Sequence, residues 1–209
     1  MARIELWNGD ICDLEVDAIV SPATTSLWMS SGVAGELKRA GGDAIEFAAV
    51  RQGPAEVGDA IVTHAGTLAA KVVVHAVSLD RNRRTSASGI DGAVRTALAR
   101  VRELGLSSIA FPALGTGIGG FPIEEAARVT VAAVRDELAT PSTVEHVVFA
   151  LRGAAAYEAF SRALSGTVPS PAPTLLGSGS WRPMGPGEAG ADERVVVREA
   201  GPSRPRRGA

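Results

Sequence analysis

The sequence has one cysteine, Cys12, and only three histidines among its 209 residues. That scarcity rules out a disulfide framework and any cysteine-based zinc site. No metal and no cofactor are expected. Aromatic residues make up only 4% of the chain, so the core must lean on its many valines, leucines and isoleucines. No charge dominates: the net charge is −2, which gives no case for general attraction to nucleic acid or membrane. No run approaches the ~18 consecutive apolar residues of a membrane helix, and residues 1–8 carry no apolar signal core. The expected setting is cytoplasmic, without a membrane partner.

Composition shifts near Gly166. Seven of the twelve prolines lie beyond it, mixed with glycine, serine and arginine. Such a segment offers little apolar surface to offset its ordering entropy, so residues 166–209 are expected to form a disordered or loosely packed tail. Within it, Arg194-Val195-Val196-Val197-Arg198 has the pattern of one short strand. Trp181 is a candidate to dock on the domain, and Arg204, Arg206 and Arg207 to touch a phosphate backbone.

Residues 1–165 alternate short apolar runs with helical spacing. Strands are expected at 4–7, 18–20, 60–64, 72–77, 108–113 and 144–151, several of them apolar nearly throughout, as strands covered on both faces should be. Helices are expected at 33–40, 44–51, 90–104, 123–138 and 154–164. The alternation predicts an α/β fold, a three-layer α/β/α sandwich around a mixed sheet.

The strand at 108–113 runs into Leu114-Gly115-Thr116-Gly117-Ile118-Gly119-Gly120-Phe121-Pro122, and a helix follows. A strand, a glycine-rich turn and a helix start together make an anion site, because unpaired amides converge on it. Gly115, Gly117 and Gly120 also satisfy the dinucleotide fingerprint G-x-G-x-x-G. Context excludes that reading: the loop lies past mid-chain, and the acids about 20 residues on, Asp136 and Glu137, fall inside a helix.

An ordered series of motifs precedes this loop: Asn8-Gly9-Asp10-Ile11, Val16-Asp17-Ala18-Ile19-Val20, Gly32-Val33-Ala34-Gly35, Val57-Gly58-Asp59-Ala60, Val72-Val73-Val74-His75-Ala76-Val77 and Ile109-Ala110-Phe111-Pro112-Ala113. From about residue 4 to 164 the chain resembles the macro domain family, and within it the small stand-alone bacterial members that bind or remove ADP-ribose. The resemblance implies that Asp10 accepts from the adenine amino group with the Ile11 backbone assisting. It implies that Ser30, Ser31, Gly32 and Val33 cover the diphosphate and proximal ribose, and that Gly115, Thr116, Gly117, Ile118, Gly119 and Phe121 form the second phosphate loop.

The sequence departs from the family in five places. In two of them Ser30-Ser31-Gly32 stands for the first loop's triple glycine, with the serine hydroxyls as candidate donors to the diphosphate, and Gly119 stands for the aromatic often found in the second loop. Ser21-Pro22-Ala23-Thr24 stands where many members have Asn-Ala-Ala-Asn, so Ser21 and Thr24 are the candidates to hold the distal ribose. Ala34 replaces the acid one hydrolase group carries after Gly-Val, while Glu36 is expected to face elsewhere as a surface charge. The aromatic that stacks on adenine is here Leu151 or Arg152, and a guanidinium plane can take that place. The expected function is hydrolysis of ADP-ribose from a modified target, foremost an ester on an acidic protein side chain, with nucleic-acid bases and O-acetyl-ADP-ribose as other substrates. A substrate phosphate would activate the water, with Thr24, Ser31 and Thr116 as the candidate catalytic side chains that hold it. The alternative is a non-catalytic ADP-ribose reader. The loop Asp80-Arg81-Asn82-Arg83-Arg84 is either a solvated turn or a contact for the modified macromolecule.

Overall fold

The computed structural model describes residues 2–166 and, as backbone, residues 195–199. The strands are β1 (Arg3–Asn8), β2 (Ala18–Thr24), β3 (Ala60–His64), β4 (Val72–Leu79), β5 (Ser108–Phe111), β6 (His146–Leu151) and β7 (Val195–Glu199). The helices are α1 (Gly32–Gly41), α2 (Ala44–Val50), α3 (Ala87–Glu103), α4 (Ile123–Leu138) and α5 (Ala154–Ser165). They build one mixed sheet in the order β3-β4-β2-β5-β6-β1-β7, parallel except for β3 at one edge. At the other edge β7, inside the segment expected to be a tail, pairs in parallel with β1. Trp181 and the arginines at 204, 206 and 207 lie outside the described residues.

Alternation along the strands sorts the core into two layers. Val20, Val74, Ile109, Val147 and Phe149 face α3, α4 and α5, whose contribution includes Ile90, Val94, Val131 and Phe160. Ile19, Val73, Ala110 and Val148 face the opposite way, toward Leu37 of α1 and Ile45 just inside α2. Phe149 lies between Phe111 and Phe160 with ring centroids 6.4 and 5.0 Å away, the main aromatic contact of the larger layer.

Two features position the site. Asp17 fastens the start of β2 to the start of β5. Its Oδ2 accepts from Ser107 N, Ser107 Oγ and Ser108 N, while Lys71 approaches Oδ1 at 2.7 Å. The Lys71 ion pair first, then the serine donors, holds this carboxyl well below the usual range. Past that anchor the two strands separate. Their ladder consists of Ala18↔Ile109 and Ile19↔Ala110 alone, although β2 keeps its pairing with β4 to Thr24. Pro22, which has no N–H to give, is tolerated within β2 because β5 has already left that ladder.

His75 lies fully buried in β4. Thr63 Oγ1 donates to His64 O and stands 3.0 Å from His75 Nε2, so Nε2 is assigned the proton and Nδ1 is left without a partner. Burial pushes its pKa down to about 4. Between that value and about 6.5 the unfolded imidazole binds a proton that the folded one refuses, so stability falls as pH drops through this window. Urea unfolding at pH 4.5 should show about 2–3 kcal/mol less stability from this group than at pH 7. A His75→Leu variant should lose most of that pH dependence.

Candidate functional site

At the carboxyl ends of β2 and β5 a cleft of about 300 Å³ opens, the scale of a ligand pocket. It lies where the strand order reverses: the chain leaves β2 toward α1 on one face and leaves β5 toward α4 on the other. Open parallel sheets bind ligands at such points, because helices diverging from adjacent strands leave a crevice between them.

One wall is the start of α1. Ser31 is extended, Gly32 turns the chain at φ 59, and no side chain caps the helix. The first bond onto the helix is Gly35 N to Ser31 O at 3.1 Å, so the amides of Gly32, Val33 and Ala34 have no partner within it. Ser30, Ser31, Gly32, Val33 and Ala34 all line the cleft, at the positive end of the helix dipole. The loop that delivers them is fixed from below. Buried Glu46 accepts from Met29 N through Oε2 and from Lys38 Nζ through Oε1, both at 2.6 Å, and holds the Lys38 ammonium above its usual range.

The facing wall is the glycine-rich loop after β5. Gly115 has φ 78, and a Cβ on Gly119 would lie 2.7 Å from Gly115 O, so the loop doubles back with no room for side chains inside it. Phe121 N donates to Gly115 O and Gly120 N to Gly117 O, both at 3.0 Å, closing the bend. The amides of Thr116, Gly117, Ile118 and Gly119 make no hydrogen bond among the described residues, and all four residues line the cleft with Gly115. The Thr116 hydroxyl donates to Ala113 O at 3.0 Å, which leaves its oxygen as an acceptor. Thr24 lines the same cleft 2.9 Å from Ser26 Oγ.

At the β6 and β1 end, a short 3-10 turn, Ile11–Asp13, begins under Asp10, whose Oδ1 accepts from Cys12 N at 2.9 Å. Gly9 and Ile11 line the cleft, whereas Asp10, the expected adenine ligand, is not among its lining residues. Arg152, directly after β6, bridges two acids: Nη2 lies 2.8 Å from Asp10 Oδ2 and Nη1 2.6 Å from Glu36 Oε1.

Three expectations need correction. Glu36 is not an outward surface charge: it lies one full turn after Gly32, hence on the same helix face, and lines the cleft with Oε2 buried and unpartnered. Ser21 is fully buried in β2 under the α1 side of the sheet and does not reach the cleft. Phe121 packs against the larger core layer rather than lining the site. Sequence reasoning also missed Trp28, Leu79 and, as a lining residue, Arg83. Trp28 had a legible signal, an aromatic between two apolar residues, Leu27 and Met29, in a chain with few aromatics. Among the described residues no cluster of His, Cys, Asp or Glu could hold a metal, and no helix is long and apolar enough to cross a membrane.

Fold and cleft together define a three-layer α/β sandwich with two unpaired amide bends across one crevice. The sequence profile of the macro domain matches residues 20–130. The chain belongs to the macro domain family. A Mycobacterium bovis protein is 40% identical over 164 residues, 78% of this chain but only 45% of that protein, so the chain spans under half the length of this relative. The O-acetyl-ADP-ribose deacetylase of Salmonella gallinarum is 37% identical over 71% of this chain and 86% of its own. Among solved structures, a macrodomain mutant of Oceanobacillus iheyensis with ADPR superposes with a TM-score of 0.71 at 26% identity, covering 77% of this chain and 91% of that one.

Removing the Glu46 carboxylate strands the Met29 amide beneath the first wall. Glu46→Ala should cost about 2–3 kcal/mol in denaturant unfolding, as for a lost hydrogen bond to a charged group, and Glu46→Gln clearly less.

Proposed function

We propose that this chain binds ADP-ribose along the cleft and hydrolyses it from a modified target, foremost an ester on an acidic protein side chain. The supporting observation is the pair of amide-lined bends, 30–34 and 115–119, on opposite walls of one cleft. Such donors suit a diphosphate, and the cleft extends from it in two directions, toward Ile11 and Arg152 for the base and toward Thr24 for the distal ribose.

The lining residues narrow the chemistry. Glu36 is their one carboxylate, tied to Arg152 at the base end, and no His, Lys or Cys joins it. A hydroxyl such as that of Thr24, Ser31 or Thr116 does not ionise near neutral pH without a base, so these three can position a water but not deprotonate it. The base left is the substrate's own diphosphate. Water held beside it attacks the anomeric carbon, and the protein contributes placement and electrostatic stabilisation from the two bends. The resemblance to an O-acetyl-ADP-ribose deacetylase supports ester chemistry in this reading. The same scarcity of ionisable groups favours a second reading, a reader that binds without turnover.

Incubation with mono-ADP-ribosylated protein should liberate free ADP-ribose; binding of ADP-ribose with no release at high protein concentration decides for the reader. Asp10→Ala should weaken ADP-ribose binding by about 1–3 kcal/mol by calorimetry, the range for a lost hydrogen bond to a charged acceptor. Unchanged affinity would remove Asp10 from the site.

A further inference from the structure

The cleft's mouth at the β2 and β4 end is built from two segments with no role so far. One is the turn after β4. Asp80 folds it, its Oδ1 accepting from the amides of Asn82 and Arg84 at 2.8 Å each, while Arg83 N donates to Asp80 O at 3.0 Å. Arg83 is thereby held at φ 61, a left-handed backbone that disfavours arginine, and its side chain lines the cleft. Arg81, Arg83 and Arg84 are all exposed, and none forms an ion pair among the described residues. By contrast Arg95, Arg100, Arg102, Arg152 and Arg162 each have a carboxylate partner.

The second segment follows β2. Leu27 is buried with Ala23, Ala49 and Val77, and Met29 is buried with its amide on Glu46. Trp28 between them is directed outward: it is 54% exposed and lines the cleft. An indole and an uncommitted guanidinium thus share the mouth that lies past Thr24, where the bond to be broken would sit.

We propose that Arg83 receives the departing carboxylate when ADP-ribose esterified to an acidic protein side chain is hydrolysed, with Arg81 and Arg84 drawing acidic segments of that protein to the mouth. The inference rests on the hydrolase reading above and names its leaving group. Water oxygen bonds to the anomeric carbon, and the bond from that carbon to the ester oxygen breaks. The electron pair stays on the carboxylate, and the water's proton passes to a diphosphate oxygen. Negative charge grows on the leaving oxygen, where a guanidinium offers two parallel donors. A nitrogen leaving group, as from a nucleobase, would need a proton instead. Arginine cannot supply one, and Glu36 is held by Arg152 at the opposite end. The net charge of −2 likewise gives no general attraction to nucleic acid, so the cation at the mouth is a local device.

The test compares wild type, Arg83→Gln and Arg83→Lys on a peptide carrying ADP-ribose on glutamate and on an oligonucleotide carrying it on a base, with calorimetry of free ADP-ribose alongside. The expected result is a kcat on the glutamate ester lowered roughly tenfold or more in Arg83→Gln and only partly regained in Arg83→Lys, which keeps the charge but not the paired donors, with ADP-ribose affinity within about twofold throughout. Wild-type turnover in Arg83→Gln overturns the inference and leaves the hydrolase reading standing. So does a parallel loss of ADP-ribose affinity, which would make Arg83 a phosphate ligand, and so does turnover of the oligonucleotide alone. Wild-type binding of ADP-ribose with no release from any substrate overturns both.

Discussion

The structure turns on the parting of β2 from β5. Two residue pairs hold them, Ala18↔Ile109 and Ile19↔Ala110, with Asp17 and the Ser107 and Ser108 donors fastening their starts. Beyond that point the sheet's two halves send their chains to opposite faces, and the gap between them is the cleft. If the ladder ran on, Pro22 and Pro112 would face ladder positions they cannot donate to, and the two walls would close on each other. Core packing and site are therefore consequences of one topological feature rather than separate designs.

What fills the walls is mostly main chain. Glycine at 115 and 119 and an uncapped helix start at 31–34 leave amides pointing into space that side chains would otherwise occupy. Such a surface recognises negative charge distributed over several oxygens and discriminates little between carriers. Selectivity then has to come from the ends. At one, Asp10, Arg152 and Glu36 form a continuous charge clasp; at the other, Trp28 and Arg83 line the cleft.

The strand and helix pattern was legible because buried parallel strands are apolar throughout and helices keep their spacing. All eleven segments expected in residues 1–165 correspond to elements found there. The differences have local causes. The expected strand at 18–20 extends to Thr24 in the fold, since proline in a half-open strand breaks no ladder. Helix α3 begins three residues before the expected 90, because the Ser86 side chain caps it through Gly89 N. In the site, contiguous loops were readable as motifs, whereas the Arg152 link from the end of β6 to α1 joins residues 116 apart and has no sequence signature. Glu36 shares its helix face with Gly32, one turn away, and not with Ala34, two residues away, so motif order alone does not show where it points. Ser21 looked like a ligand by its place in a motif, and strand alternation buried it.

The central claim is that one diphosphate is held by both bends at once. Titration of the isotope-labelled protein with ADP-ribose, followed residue by residue in amide ¹H–¹⁵N spectra, addresses it directly. The account predicts that the amides of Gly32 and Val33 and those of Thr116 to Gly119 shift together and saturate at one shared midpoint. Shifts confined to one wall, or two separate midpoints, would contradict it.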